Sequence, residues 1–315
     1  MRIAVPREIK SGEKRVALVP DIISKLTKAG LEVVIESGAG VAAQYSDKQF
    51  SDAGAQLKST DVIADADVVL SVQPLNPAQM KTLKKGAITI SFLSPTGSAD
   101  SIEAAISAGV TAISLEMVPR ISRAQSMDAL TSQALCAGYK ASLVAAELSP
   151  KFFPLLMTAA GTITPAKVVV LGAGVAGLQA IATAKRLGAV VSAYDVRPAS
   201  ADEVKSMGAK FITLELEALE GAGGYAREMT EERANKQREL LTPYISAADV
   251  LITTAAVPGR TAPRLVTAAM ISHMAPGSVV VDLAAESGGN VEGSVAGEIV
   301  ITSSGVKIWG AKDVP

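Results

Sequence analysis

KVVVLGAGVAGLQAIATAKRLGAVVSAYDVR, residues 167–197, has the form of one complete half of a dinucleotide-binding βαβ unit. Residues 167–171 are too short and too rich in valine for a helix. They run directly into Gly172-Ala173-Gly174-Val175-Ala176-Gly177, so a buried parallel strand feeds a tight turn. Ala176, Leu178, Ala180, Ile181, Ala184 and Leu187 then keep helical spacing, and Gly188 closes that pattern before a second strand over 190–194. Gly172 permits the sharp turn, Gly174 removes a side chain where a pyrophosphate must approach the backbone, and Gly177 lets the helix lie close on the sheet. Phosphates at such a turn meet first-turn N–H groups, Val175 and Ala176 among them, and the positive end of the helix dipole. Asp195 ends the second strand about 20 residues beyond the turn, where a carboxylate accepts from the adenosine ribose and repels a 2′-phosphate, which favours NAD over NADP. Past Val196, Arg197 offers the opposite preference, because a guanidinium can hold a 2′-phosphate.

A chain of 315 residues is long enough for two domains, each with its own core. Lys+Arg 30 nearly balances Asp+Glu 31, so no basic excess recommends nucleic acid as a partner. Aromatic residues are only 3%, which leaves Ala, Val, Ile and Leu to build the cores, as in α/β proteins with parallel sheets. The single cysteine, Cys136, excludes an internal disulfide and a cysteine-rich zinc site, fits a reducing compartment, and is expected to be a small buried residue. MRIAVPREIKSGEKR is charged from its second residue and lacks the apolar core of a signal peptide. The weakly polar run 168–184 is accounted for by the fingerprint and its turns rather than by a membrane span, so a soluble chain is expected.

The same alternation extends across the chain. Residues 2–6 predict a strand, Asp21 a cap for a helix containing Ile22, Ile23 and Leu26 and closing at Gly30, and 33–36 a returning strand. Strands follow at 67–72, 87–92 and 110–115, with helices near 47–54, 76–84 and 99–108, a βα repeat without a glycine fingerprint. Residues 127–148 predict a helix ended by Ser149-Pro150. The polar cluster ahead of it, Arg120, Arg123, Gln125 and Asp128, reads either as a solvated helix start or as a set of ligand contacts at a cleft. After a strand at 211–214, residues 217–239 form either a surface insertion or a mobile loop leading into a solvated helix. Strands at 249–253, 278–283 and 306–309 complete the second sheet, with turns at 257–260 and 286–290 on strand ends where open α/β sheets bind ligands. The expected fold class is therefore α/β, two Rossmann-like parallel-sheet domains separated by a cleft. The expected boundaries are residues 1–125 and 151–315, with a linking helix over 126–150.

Catalytic motifs are scarce. His273, the only histidine, lies between a helix and a strand in ISHMAPGS and is read as structural, so neither a Ser-His-Asp set nor an HExxH zinc site is expected, and no metal site is assigned. Oxidising an alcohol or amine requires a general base, and none is evident in the first domain. Hydride transfer from one nicotinamide ring to another requires only that the rings be held face to face at about 3–3.5 Å.

Several longer motifs carry a resemblance: RIAVPREIKSGEKRVALVP at 2–20, PRISRAQSMDALTSQ at 119–133, GAGVAGLQAIATAKRLGA with YDVRP, GAGGYAREM at 221–229, TTAAVPGRTAP at 253–263 and VVDLAAESGGN at 280–290. With them the chain resembles the NAD(H)-binding component of the proton-translocating nicotinamide nucleotide transhydrogenases, a family related in fold to alanine dehydrogenase. The resemblance implies that Arg120, Gln125 and Asp128 act at the nicotinamide end of NAD(H), with Gln125 bridging toward NADP(H) on a partner subunit. It implies further cofactor contacts from Thr131, where the family often has serine, and from Asp195, Val196, Arg197, Gly224, Gln237, Ala255 and Ala256. The resemblance also implies that Tyr225 corresponds to the tyrosine of a mobile loop that closes over nucleotide in the family. A homodimer is implied, held on the cytoplasmic side of the inner membrane by NADP(H)-binding and membrane-spanning partner subunits, where transfer is coupled to proton translocation. Alone, the chain would turn nothing over. Beyond Pro315 the family continues with a helical segment returning to the first domain. Alanine dehydrogenases carry a lysine and a histidine near two first-domain strand ends, positions matched here to Ser71 and Phe92, while Arg15 matches their carboxylate-binding arginine. An amino-acid dehydrogenase is thus the second reading, and a non-catalytic NAD-binding regulatory module the third.

Overall fold

The structure, a computed structural model, describes residues 1–95, 97–119, 121–216, 230–256 and 261–315. These fall into two compact units, Met1–Leu130 and Thr131–Pro315. In the first, the order is β1 (Arg2–Val5), α1 (Pro20–Lys28), β2 (Glu32–Glu36), α2 (Asp47–Asp52), β3 (Gln56–Lys58), β4 (Val68–Leu70), α3 (Pro77–Thr82), β5 (Ile88–Ser91), α4 (Ala99–Ala108) and β6 (Thr111–Ser114). The strands pair in parallel in the order β3-β2-β1-β4-β5-β6. Period-two alternation splits each central strand between two cores. Val5 and Ile35 join Ile23 and Phe50 on one face, and Ala4, Val34 and Val69 join Met80 on the other.

One expectation for this unit is corrected, and one strand was not foreseen. Asp21 does not cap α1: Val19 holds the N-cap position without a side-chain bond, because Pro20 fills the first helical position and places Asp21 inside the first turn, where its charge still suits the dipole. Strand β3, with one exposed and two half-buried residues, is an edge strand whose composition carries no apolar signal.

The second unit takes in most of α5 (Ala129–Leu148), followed by β7 (Leu156–Thr158), β8 (Gly161–Ile163), β9 (Lys167–Leu171), α6 (Val175–Arg186), β10 (Val190–Tyr194), α7 (Ser200–Ser206) and β11 (Lys210–Phe211). Then come α8 (Glu231–Ser246), β12 (Val250–Thr253), α9 (Ala268–Ser272), β13 (Val279–Asp282), β14 (Ile299–Ile301) and β15 (Lys307–Gly310). Its seven-stranded sheet runs β11-β10-β9-β12-β13-β15-β14, parallel except for β14, and every residue of β12 and β13 is buried. β7 and β8 form a separate antiparallel hairpin.

α5 lies against α6. A Cβ on Gly138 would lie well inside contact distance of the Ala176 carbonyl, and the Ser142 hydroxyl donates to the Ala180 carbonyl at 2.8 Å. Gly138, Ala141, Ser142 and Ala145 form the stripe that faces α6. Cys136, about half a helical turn away from that stripe, is exposed, which corrects the expectation that it is buried. α8 is likewise not solvated all round, since Gln237, Leu241 and Ile245, spaced by four, are buried. No helix among the described residues is long and apolar enough to cross a membrane.

Candidate nucleotide site

The turn after β9 is shaped by three glycines with three different reasons. Gly172 has φ +98, and a Cβ there would lie 2.6 Å from Thr254 Oγ1. Gly177 leaves no room at all, since its Cβ would collide with the Gly172 carbonyl oxygen. Gly174 is different: its φ is −77, within reach of any residue, and a Cβ would meet none of the described residues within 4 Å. Neither backbone strain nor packing among the described residues calls for glycine there. The space lies at the N-terminus of α6, whose N-cap is Gly174 without a side-chain bond and whose first helical bond runs from Leu178 N–H to the Gly174 carbonyl at 2.8 Å. The N–H groups of Val175, Ala176 and Gly177 precede that bond, so first-turn donors face this space, the arrangement by which helix N-termini bind phosphate groups.

Asp195, just past the end of β10, turns toward this turn. Its Oδ2 accepts from the Ala173 amide at 2.7 Å, and Arg197 grips it with Nε on Oδ1 and Nη2 on Oδ2, both at 2.9 Å. Burial pushes the Asp195 carboxyl up, but the Arg197 guanidinium and the two backbone amides outweigh it and hold the group below the ordinary aspartate value. Beside it, half-buried Val196 packs on the core under the sheet.

The third wall is the chain leaving β12. Thr254 Oγ1 donates to the Gly172 carbonyl at 3.1 Å, tying this segment to the fingerprint. Asn290, fully buried, brackets the residues next along this segment: its Nδ2 donates to the carbonyls of Ala255 and Pro263, both at 2.8 Å, and its Oδ1 accepts from Ala255 N–H at 3.0 Å. Asp282 at the end of β13, also fully buried, accepts from Thr253 Oγ1 and from the amides of Ala284, Asn290 and Val291. Reading the sequence alone makes 286–290 a turn and misses both residues. The available signal is a carboxylate closing an all-valine strand, followed by Gly-Gly-Asn, since buried polar groups must find partners.

Gly172, Gly174, Val175, Ala176, Gly177, Asp195, Val196, Arg197 and Ala255 thus gather at one end of the seven-stranded sheet, followed by exposed Ala256. Gln237 is buried on α8, where its Oε1 accepts from Tyr194 Oη at 3.2 Å; burial pushes that phenol up to about 12 and keeps it a donor. Gln125 is exposed in a 3-10 segment, Ser122–Met127, which Asp128 closes; both belong to the first unit, and half-buried Thr131 opens the second. Arg120, Gly224 and Tyr225 lie outside the described residues. His273 is exposed at the end of α9.

A second polar cluster lies in the first unit. Arg15 is bound to Glu13 through Nε and Nη2, each at 2.7 Å, and its guanidinium sits 5.8 Å from the Phe92 ring centroid. The strand-end side chain that joins them is Gln73, donating to Glu13 Oε2 at 2.6 Å; Ser71 is buried and donates to the Gln73 carbonyl instead. Burial raises the Glu13 carboxyl, but Arg15 and Gln73 outweigh it and lower the group from 4.5 to about 2. A depressed carboxyl stabilises the fold above its unfolded pKa, and that stability is lost as pH falls from about 4.5 toward 2. Glu13→Gln should therefore flatten the acid limb of a urea-midpoint profile followed by circular dichroism, and profiles of equal slope for the two proteins would contradict the assignment.

Comparison with known proteins places the chain in a family. The N-terminal domain of the alanine dehydrogenase/PNT family matches residues 4–137, and its C-terminal domain matches residues 141–315. The first part of the NAD(P) transhydrogenase subunit alpha of Rhodospirillum rubrum is 48% identical over 325 residues, covering 100% of this chain and 84% of the relative. Alanine dehydrogenase of Mycobacterium tuberculosis is 34% identical over 305 residues, covering 93% of this chain and 75% of that protein. The crystal structure of transhydrogenase from Sinorhizobium meliloti superimposes with a TM-score of 0.89 at 43% identity, covering 100% of this chain and 87% of that one.

Proposed function

The chain belongs to the alanine dehydrogenase/PNT family, and from that premise we propose that it is the NAD(H)-binding subunit of a transhydrogenase, passing hydride between its own NAD(H) and NADP(H) held by a partner subunit. The observation that carries the nucleotide half of this reading is Gly174, an N-cap glycine that leaves the space in front of the first-turn N–H groups of α6 open on the described side. NAD(H), when bound, supplies the hydride carrier. The first turn of α6 holds the pyrophosphate, Asp195 holds the adenosine ribose, and the segment clamped by Asn290 bounds the site beyond β12. Arg120, Gln125, Asp128 and Thr131 orient the nicotinamide end, and Gly224, Tyr225 and Gln237 add further contacts to the nucleotide.

What favours transhydrogenase over amino-acid dehydrogenase is the company of Arg15. Glu13, Gln73 and Phe92 lie beside it: Glu13, held by Arg15 and Gln73, is lowered to about 2, a weak base for amine oxidation near neutral pH, while Glu8, raised by burial, is tied to the Val72 and Gln73 amides. Transfer between two nicotinamides moves a hydride with no accompanying proton, so it makes no such demand. NADH with pyruvate and ammonium should therefore show no turnover. Gln125→Asn should lower transfer to partner-held NADP+ by roughly tenfold or more while moving NADH affinity by less than about threefold. Equal losses in both would contradict a bridging role for this side chain.

The assembly is proposed on the same footing: a homodimer held at the cytoplasmic face of the inner membrane by NADP(H)-binding and membrane-spanning partners, with transfer coupled to proton translocation. Support for self-association comes from the β7–β8 hairpin, where Met157 is 77% and Ile163 39% exposed.

A further inference from the structure

We infer that Arg197 is a latent 2′-phosphate site that Asp195 keeps occupied, so that the aspartate excludes NADP(H) both by its own charge and by holding the guanidinium. The inference rests on the NAD(H)-binding reading above. The pair is a closed fork, with Nε and Nη2 of Arg197 on the two Asp195 oxygens at 2.9 Å each and the Arg197 amide adding a third bond at 2.9 Å. A guanidinium fork fits phosphate as well as carboxylate. The two partners differ in exposure: the Asp195 side chain is 7% exposed, pinned to the fingerprint turn by the Ala173 amide, whereas that of Arg197 is 25% exposed. The aspartate is therefore the fixed member, and the guanidinium is the member that can be handed to a ligand from the open side. Glu203 on α7 also acts on Arg197 and favours its charged form.

Such a guard suits a protein that must exchange hydride with an NADP(H) bound elsewhere, because NADP(H) entering this site would compete with its own partner nucleotide. Removing the charge of Asp195 while keeping its shape should release the fork. Asp195→Asn retains an oxygen for the Ala173 amide, and Asp195→Ser serves as a second variant if the first is unstable.

Fluorescence titration of the full chain with NADH and NADPH tests this, using the wild type, each Asp195 variant, and the same variants carrying Arg197→Ala, with thermal midpoints measured on all. NADPH should bind the Asp195 variants roughly tenfold to a hundredfold more tightly than the wild type, and Arg197→Ala should remove the gain. A wild type that fails to bind NADH overturns the reading of the site and this inference with it. A wild type that binds NADH, with folded Asp195 variants that gain nothing for NADPH, overturns the inference alone. So does a gain that survives the loss of Arg197.

Discussion

Gly174→Ala should leave the second unit nearly as stable as the wild type and yet remove most of its NADH binding. The added methyl group meets no atom of the described residues within 4 Å and the backbone there is ordinary, so the expected stability change is that of a glycine-to-alanine swap at an N-cap, below about 1 kcal/mol. The same methyl occupies the space in front of the first-turn N–H groups, where an anion would sit, and a loss of more than about a hundredfold in affinity is expected. Gly177→Ala provides the contrast. Its Cβ collides with the Gly172 carbonyl, which is backbone and cannot swing aside, and stands 3.1 Å from Thr254 Oγ1. Helix α6 must back away from the turn, so stability should fall by about 3 kcal/mol, at the upper end for overpacking, along with affinity. Trp309, the single tryptophan, lies on β15 and reports the second unit in urea titrations. If Gly174→Ala binds NADH as well as the wild type does, the space beside it is not a phosphate cradle.

Asn290→Ala should be the most damaging change away from the turn. Three hydrogen bonds from one fully buried amide tie Ala255 and Pro263 across the segment that leaves β12. Their removal orphans an N–H and two carbonyls, each worth about 1–3 kcal/mol if left unpaired in the interior. Pro263 is exposed and Ala255 half-buried, so water recovers part of this, and a net loss of about 2–4 kcal/mol is expected. Asn290→Asp should be nearly as harmful despite its shape, because a carboxylate accepts and cannot donate to the two carbonyls. NADH affinity should weaken with both, since Ala255 lines the site. A loss below about 0.5 kcal/mol for Asn290→Ala would show that the clamp is dispensable.

The fingerprint was legible because three physical requirements coincide there in the order strand, turn, helix, strand, acid. The alternating strands of both sheets were legible for a related reason: buried parallel strands must be nearly continuous runs of Val, Ile and Leu, as 168–171 and 250–252 are. Edges lack that requirement. β3 and β14 are short and partly exposed, and the hairpin of β7 and β8 turns apolar residues outward, so their composition does not distinguish them from loop, while the edge strand expected over 211–214 is the two-residue β11, Lys210–Phe211. Cys136 was misplaced because its residue type favours burial and its helix face does not: Gln133, Lys140 and Glu147 share that face of α5, opposite the stripe of small residues from Gly138 to Ala145 that marks the packed side. Asp282 and Asn290 were hidden because their work is done across the fold, by bonds to residues 8 to 35 positions away as well as to near neighbours. The roles of Gln125 and Asp128 came from resemblance alone, since an exposed polar segment has the same appearance whether it faces solvent or a ligand.

The central claim is hydride transfer across a contact between two proteins, and reduction of an NAD+ analogue by NADPH measures it directly. This chain mixed with a separately prepared NADP(H)-binding transhydrogenase domain should carry out the reaction, and neither protein should do so alone. Absence of transfer in the mixture, with NADH binding to this chain demonstrated in the same preparation, would contradict the account.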